Sequence, residues 1–356
     1  MNFASDNAAG AAPEILAALE RVNGGTAASY GGDKTTARVQ EKLSALFGRE
    51  VAFFPVATGT AANSLTLATL TPHYGAVLCH EGAHICEDEC GAPEFFSGGA
   101  KLVPLAGLHG KLSPQTLRVA LSRFQRGDVH QVQPATVSIT QATERGTCYS
   151  PEEVEAIAAV AKAEGLVVHM DGARFANALA FLKCKPADVT WKAGVDAMSF
   201  GLTKNGAIAA EAVVFFDPAR AADFEFRRKR GGHLFSKMRF VSAQIEAMLE
   251  ADLWLKLGGH ANAMAQRLGG GLASIAGFSV EHPVEANEVF ARLPDKQTLD
   301  ALKAAGARFL VWGPAGDRPL IRLVCSFATA ANDVDDFLAA ARRAGERQPT
   351  KRAETA

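Results

Sequence analysis

Apolar positions along the chain change their period repeatedly. After Pro13, Ile15, Leu16 and Leu19 fall on one face of a helix. After Thr35-Thr36, Val39, Leu43, Leu46 and Phe47 recur at helical spacing, and Gly48 supplies the stop. Ser113-Pro114 and Ser150-Pro151-Glu152-Glu153 set a capping hydroxyl before a proline, which marks two further helix starts. Between these stretches lie short apolar runs that predict buried strands at 51–54, 76–79, 135–140, 166–170, 196–200 and 212–216.

Strands alternating with helices from residue 51 to residue 216 predict an α/β fold with a mainly parallel, mixed sheet covered by helices. In such sheets ligands bind at the carboxyl ends of the strands, so residues just after each strand carry most interest. Beyond residue 239 the pattern changes. One long helix is predicted over 240–268, then strand-like runs at 288–293 and 320–326. The expected organisation is a large domain over 1–245, a smaller C-terminal α+β domain over 246–345, and a polar, disordered tail over 346–356.

Composition narrows the class. The 356 residues are 48% hydrophobic and 21% charged, as in ordinary globular proteins, and are long enough for one large or two coupled cores. The 37 Lys and Arg against 38 Asp and Glu leave a net charge of −1, so no global basic field exists to hold a nucleic acid or an anionic membrane. No apolar run approaches the roughly 18 residues of a membrane span. Asp6 and Glu14 occupy the start, where a secretion signal would be basic and then apolar. The six cysteines are scattered, and a chain of this size needs no disulfides. Free thiols in a cytoplasmic protein are expected.

Candidate chemistry sits at the strand ends. The run 166–174 ends with Asp171, and Arg174 follows three residues later; 33 residues after Asp171, the run 196–206 places Lys204. A lysine amine can form a Schiff base with pyridoxal phosphate, and an aspartate can pair with the protonated pyridine nitrogen, which keeps the ring an electron sink. The plainer alternative makes Asp171 a helix cap and Lys204 a solvated loop lysine. A third element is the turn Thr58-Gly59-Thr60, between the strand 51–54 and a helix. Its backbone N–H groups and hydroxyls would form an anion site at a helix start.

With these residues in order, the chain resembles the threonine aldolase family of fold-type-I pyridoxal-phosphate enzymes. The resemblance rests on Ser5-Asp6, Tyr30 with Gly31-Gly32-Asp33, Thr58-Gly59-Thr60 through Asn63, Ala83-His84, Asp171-Gly172-Ala173-Arg174, the Lys204 segment and Ile321 to Val324. It covers nearly the whole chain. It implies cleavage of L-β-hydroxy-α-amino acids (L-threonine, L-allo-threonine, L-phenylserine) to glycine and an aldehyde. A β-eliminating lyase or an aminotransferase of the same fold is the rival.

The resemblance also implies roles. Lys204 would carry pyridoxal 5'-phosphate and Asp171 would bind its ring nitrogen. Gly59 and Thr60, with Thr58, would hold the phosphate, with Thr203 as a lesser candidate and Arg239 or Lys229 near it. His84 would stack on the ring. Ser5, Arg174 and Arg322 would bind the substrate carboxylate, and Tyr30 would line the site from a neighbouring subunit of a homotetramer. Many members carry a histidine in a Thr-His-Asn-Gly stretch; here 141–146 reads Gln-Ala-Thr-Glu-Arg-Gly, with Thr143 taken as the matching place. The hydroxyl proton would then fall to His84 or a water.

Two motifs invite other readings. His80 to His84 matches H-E-x-x-H, with Cys86 and Cys90 close by, but zinc needs both imidazoles on one helix. A strand leading into His80 and a glycine at 82 argue against that helix, and Cys86 and Cys90 are expected to be buried helix residues. The basic run Arg227 to Arg230 reads as a solvated helix face or a phosphate contact. Without interleaved aromatic residues it makes a poor nucleic-acid surface.

Overall fold

The structure is a computed structural model that describes residues 1–313 and 316–346. Apart from its first residue, the tail expected over 346–356 lies outside them. Seven strands form the main sheet: β1 (Ala52–Val56), β2 (Gly75–His80), β3 (Lys101–Leu105), β4 (Gln133–Thr140), β5 (Val167–Gly172), β6 (Ala197–Gly201) and β7 (Glu211–Phe215). Their order is β1-β7-β6-β5-β4-β2-β3. The pairs from β6 through to β3 are parallel, while β7 runs antiparallel to both β1 and β6. Every residue of β2, β6 and β7 is buried, as expected of strands covered on both faces.

All six strands expected in this region form. β3 adds a seventh that the apolar pattern does not announce. It is an edge strand with Lys101 and Pro104 exposed, so it carries no continuous apolar run. The helix Gly59–Leu70 is buried on all sides from Ala61 to Ala68, and Thr58 caps its start by accepting from the Ala61 N–H. Asp33 caps the helix Lys34–Phe47 by accepting from the Thr36 N–H.

The long helix expected over 240–268 is two. Arg239–Leu249 and Leu253–Ala273 are separated by Ala251 and Asp252, both in the left-handed region. Apolar spacing runs on through the break. The turn is set by tertiary packing, which buries Trp254 against Phe175 and Phe200 in the main core.

A second, antiparallel sheet has the order β10-β11-β9-β8, with β8 (Ser279–Val280), β9 (Glu288–Arg292), β10 (Leu310–Trp312) and β11 (Leu320–Val324). Its core gathers Leu268, Val289, Ile321, Leu323 and Phe337, and also Phe3 from the other end of the chain. Backbone bonds from Phe3 N–H to Arg308 O and from Val324 N–H to Phe3 O tie the N-terminus to this sheet. Residues 1–3 therefore pack apart from the large domain expected to contain them, because Phe3 finds its apolar pocket there.

Candidate active site

The carboxyl ends of β1, β2, β4, β5 and β6 lie on one edge of the main sheet. They surround a cavity of about 380 Å³, which opens beside a recess of about 740 Å³. Thr58, Gly59, Thr60, His84, Asp171, Arg174, Thr203 and Lys204 all line the cavity. Ser5 and Arg322 line the adjoining recess, where His84, Arg174 and Lys204 also reach.

Asp171 ends β5 and is buried. Its Oδ1 accepts from the Ala173 N–H at 2.9 Å and its Oδ2 from Asn63 Nδ2 at 2.7 Å. Asn63 is held in turn, since its Oδ1 accepts from Ser199 Oγ on β6 and its Nδ2 also donates to Glu89. Beneath Asp171, buried His169 bonds Ser138, and burial lowers its imidazole to about 4, so it stays neutral. Asp171 is thus a fixed, buried carboxylate one strand away from Lys204. Lys204 follows β6 in a single helical turn, and its Nζ makes no hydrogen bond or ion pair among the described residues.

On the next wall, Gly59 and Thr60 open the helix Gly59–Leu70 with N–H groups that make no hydrogen bond among the described residues. A Cβ built on Gly59 would have nothing within 4 Å, so the turn faces open space. Thr203 lies beside it with its hydroxyl spent on the backbone of Ala210.

His84 starts a short helix after β2. Its Nδ1 lies 2.8 Å from Glu89 Oε1, a carboxylate removed from solvent. The Glu89 hydrogen bond and the field of Asp171 outweigh burial and raise its pKa. His80 belongs to the strand, and its ring meets Gly107 O and the Gly82 N–H. The strand leads directly into the H-E-x-x-H stretch, so no continuous helix carries both imidazoles. Cys86 is half-buried in the short helix, but Cys90 is exposed in a left-handed turn outside it. That corrects the buried helical position expected of Cys90. All six cysteines are free thiols.

The two arginines converge from different elements. Arg174 Nε donates to Asp6 Oδ2 at 2.7 Å and its Nη2 to Asp6 Oδ1 at 3.1 Å, while Glu288 lies 3.6 Å away. Burial opposes the charge of Arg174, but Asp6 and Glu288 outweigh it and raise its pKa. One edge of the Arg174 fork is committed to Asp6, and Nη1 has no partner among the described residues. Arg322 projects from β11 opposite the buried Ile321 and Leu323. It stands over Trp312, 3.9 Å from Glu288, with its Nε buried and unpartnered.

Tyr30 and Arg239 do not reach the cavity within this chain. Tyr30 is half-exposed with the Lys229 amine over its ring, and Arg239 bonds Gly25 O at 3.4 Å. The basic helix is not wholly solvated either. Arg228 is buried over Phe54, because its side chain lies along the apolar wall rather than in water.

Thr143 is buried and bonds Thr147 and His109 O, away from the cavity. Its neighbour Glu144 lines the cavity instead. The sequence reading does not single out Glu144, although it lies four residues past the end of β4. Glu211 is a second carboxyl missed on the wall; it accepts from the Leu202 N–H, and burial lifts it to about 7. Nothing in the local sequence marks it.

The family model for beta-eliminating lyases matches residues 2–296. A low specificity L-threonine aldolase of a Pseudomonas species is 46% identical over 338 residues, which is 95% of this chain and 96% of the relative. The chain belongs to the threonine aldolase family of beta-eliminating lyases. The low specificity L-threonine aldolase of Pseudomonas aeruginosa is 47% identical over 328 residues, covering 92% of this chain and 93% of the relative. The solved threonine aldolase of Leishmania major superposes with a TM-score of 0.91 at 28% identity, over 97% of this chain and 99% of that one. That superposition takes in both sheets of this chain.

Proposed function

We propose that the chain is a pyridoxal-phosphate-dependent lyase that cleaves L-β-hydroxy-α-amino acids, L-threonine and L-allo-threonine among them, to glycine and an aldehyde. The observation that carries this reading is one cavity with an unpaired lysine amine, a buried, fixed carboxylate and an open helix start on its walls, and two arginines at its rim. The donor set suits the cofactor. Lys204 would hold its aldehyde carbon, Asp171 its ring nitrogen, and the free N–H groups of Gly59 and Thr60 its phosphate. Bound there, pyridoxal phosphate supplies an electron sink conjugated to the α-carbon of the amino acid.

The chain's own residues do the rest. Arg322, with the free edge of Arg174 and the Ser5 hydroxyl, binds the substrate carboxylate. Fixing the carboxylate stops rotation at Cα and so selects which bond breaks. His84, anchored by Glu89, covers the cavity and orients the bound groups. Residues 1–245 supply the cofactor side, and residues 246–345 supply Arg322 and Glu288. Tyr30, Lys229 and Arg239 line the cavity of a neighbouring subunit in a homotetramer of paired dimers. Sedimentation as a monomer would remove that part of the reading. We place the enzyme in the cytoplasm, in keeping with its six free thiols, and among the described residues no helix is long and apolar enough to cross a membrane.

The test is aldehyde release from L-threonine, L-allo-threonine and L-phenylserine side by side, with glycine quantified. Ammonia and a keto acid from L-serine, without aldehyde from any of the three, would favour β-elimination and overturn the reading.

A further inference from the structure

A carboxyl group stands unused in the cavity wall. Glu144 Oε1 accepts from the His84 backbone N–H and from Thr140 Oγ1, both at 2.8 Å. Its Oε2 is closed off from solvent and has no hydrogen-bond partner among the described residues. Leaving a buried oxygen unpaired is costly, so a group in this state points to a function. The Thr140 and His84 bonds fix the carboxyl between the ends of β4 and β2.

Most other walls are already assigned, and Glu211, the other carboxyl on the wall, already bonds the Leu202 N–H and Thr203. Lys204, Asp171 and the Gly59 turn take the cofactor side, and Arg174, Arg322 and Ser5 take the substrate carboxylate. The wall left for the β-hydroxyl is that of His84 and Glu144. His84 is held by its Nδ1 contact with buried Glu89, and that contact and the nearby Asp171 raise its pKa, which favours a donor role beside the hydroxyl.

We propose that Glu144 is the general base that takes the β-hydroxyl proton of the substrate, with His84 beside it as a donor that orients the hydroxyl. This rests on the aldolase reading above. The O–H bond breaks and its proton passes to the Glu144 carboxylate. The freed oxygen pair closes the C=O of the aldehyde. The Cα–Cβ bond breaks, and its electron pair stays with the glycine fragment until Cα takes up a proton; the cofactor that Lys204 and Asp171 would hold would supply the sink for that pair. Burial, aided by the field of Asp171 and only partly offset by the His84 N–H, lifts the Glu144 carboxyl to about 7, near the pH at which it would work. Charged and titratable groups facing it across the cavity and the core are His84, Asp171, Lys204, Arg174, Cys79 and Tyr149.

The experiment compares wild type, E144Q and E144D, each loaded with pyridoxal phosphate. Three readouts are followed: threonine cleavage against pH, exchange of the glycine α-proton with deuterated water, and the bound-cofactor absorbance. Exchange on glycine involves no hydroxyl. E144Q should lose roughly 10²–10⁴-fold in the kcat of cleavage. It should also lose the acid limb of kcat/KM near pH 7, while keeping exchange and absorbance. E144D should restore part of the rate and the limb. Wild-type cleavage with an unchanged rate and limb in E144Q would overturn the assignment alone. Loss of cleavage and exchange together would overturn it in favour of a merely structural role. No aldehyde from wild type would sink the aldolase reading, and this one with it.

Discussion

On the floor of the cavity Asp171, Asn63, Ser199 and Glu89 form a chain in which every side-chain oxygen and nitrogen has a hydrogen-bond partner, whereas on the rim Arg322 Nε and both Glu288 oxygens have no hydrogen-bond partner among the described residues. Both groups are buried, so the contrast is not one of solvent. The floor is built on adjacent strands of one sheet and is finished before any ligand arrives. The rim joins the N-terminal segment, the end of β5 and two strands of the second sheet. Its charges pair only loosely, at 3.6 and 3.9 Å, which is tolerable where a further anion completes the set.

Breaking the floor should have the largest effects. Lys204→Ala should abolish turnover and the visible band of bound cofactor together, since only a primary amine can hold the cofactor covalently. A variant that keeps both colour and rate would remove Lys204 from the site. Asp171→Asn should lower kcat about a thousandfold, the cost of losing one electrostatic stabiliser, while the protein still takes up cofactor. Near-normal kinetics would make Asp171 a cap for the turn at Ala173 and no more.

Breaking the rim should act on substrate affinity instead. Arg322→Ala should raise KM for every amino-acid substrate with kcat less affected. The loss should be about 2–3 kcal/mol, or roughly 30- to 150-fold, the low end for truncating one partner of a buried charge pair, because Arg174 remains. Arg322→Lys should recover little, since an ammonium lacks the planar fork. An unchanged KM in both would leave Arg174 as the sole anchor and make Glu288 the true partner of Arg322.

The same contrast decides what could be read from the sequence. Lys204, Asp171 and the Thr58-Gly59-Thr60 turn are legible because a parallel sheet collects its strand ends at one edge, and strands such as 51–54 are continuous apolar runs. Arg322 is legible as the one charge in an alternating strand. Asp6 as the anchor of Arg174, and Glu288 between the two arginines, depend on contacts across 168 and 114 positions of chain (174 − 6 and 288 − 174), where local pattern is silent. Glu144 lay within reach of the strand-end rule. The resemblance points instead to its neighbour Thr143, and only the bonds of Thr143 to Thr147 and His109 turn that residue away.

A gentler change sharpens the picture of the floor. The His84 pKa is raised in the folded protein, chiefly by its bond to Glu89. A raised pKa contributes stability that is fully present below the unfolded value of about 6.5 and is lost as pH rises through the folded value. Glu89→Gln should therefore lower the His84 pKa in an NMR titration and flatten the decline of stability just above pH 6.5. An unmoved His84 titration would show that the 2.8 Å contact carries no charge preference.

The smallest expected effect is also the one that best separates folding from cofactor binding. Gly59 is in the first turn of the helix Gly59–Leu70, its φ is not in the left-handed region, and an added Cβ meets nothing within 4 Å. Alanine fits that backbone, so Gly59→Ala should leave the cofactor-free protein as stable as before, or more so by about 0.4–1 kcal/mol through the entropy of the unfolded chain. In the proposed site the free N–H groups of Gly59 and Thr60 would face the phosphate across that open space, and a methyl group there would crowd it. Thermal unfolding with and without pyridoxal phosphate separates the two terms. Without cofactor the Tm should hold or rise slightly. The extra stabilisation that saturating cofactor gives wild type should shrink in the variant, because that increment follows the binding constant. If the cofactor increment is unchanged, the phosphate does not approach Gly59 and the anion site must be sought elsewhere on the wall. If the cofactor-free Tm falls, the glycine serves the fold rather than the ligand.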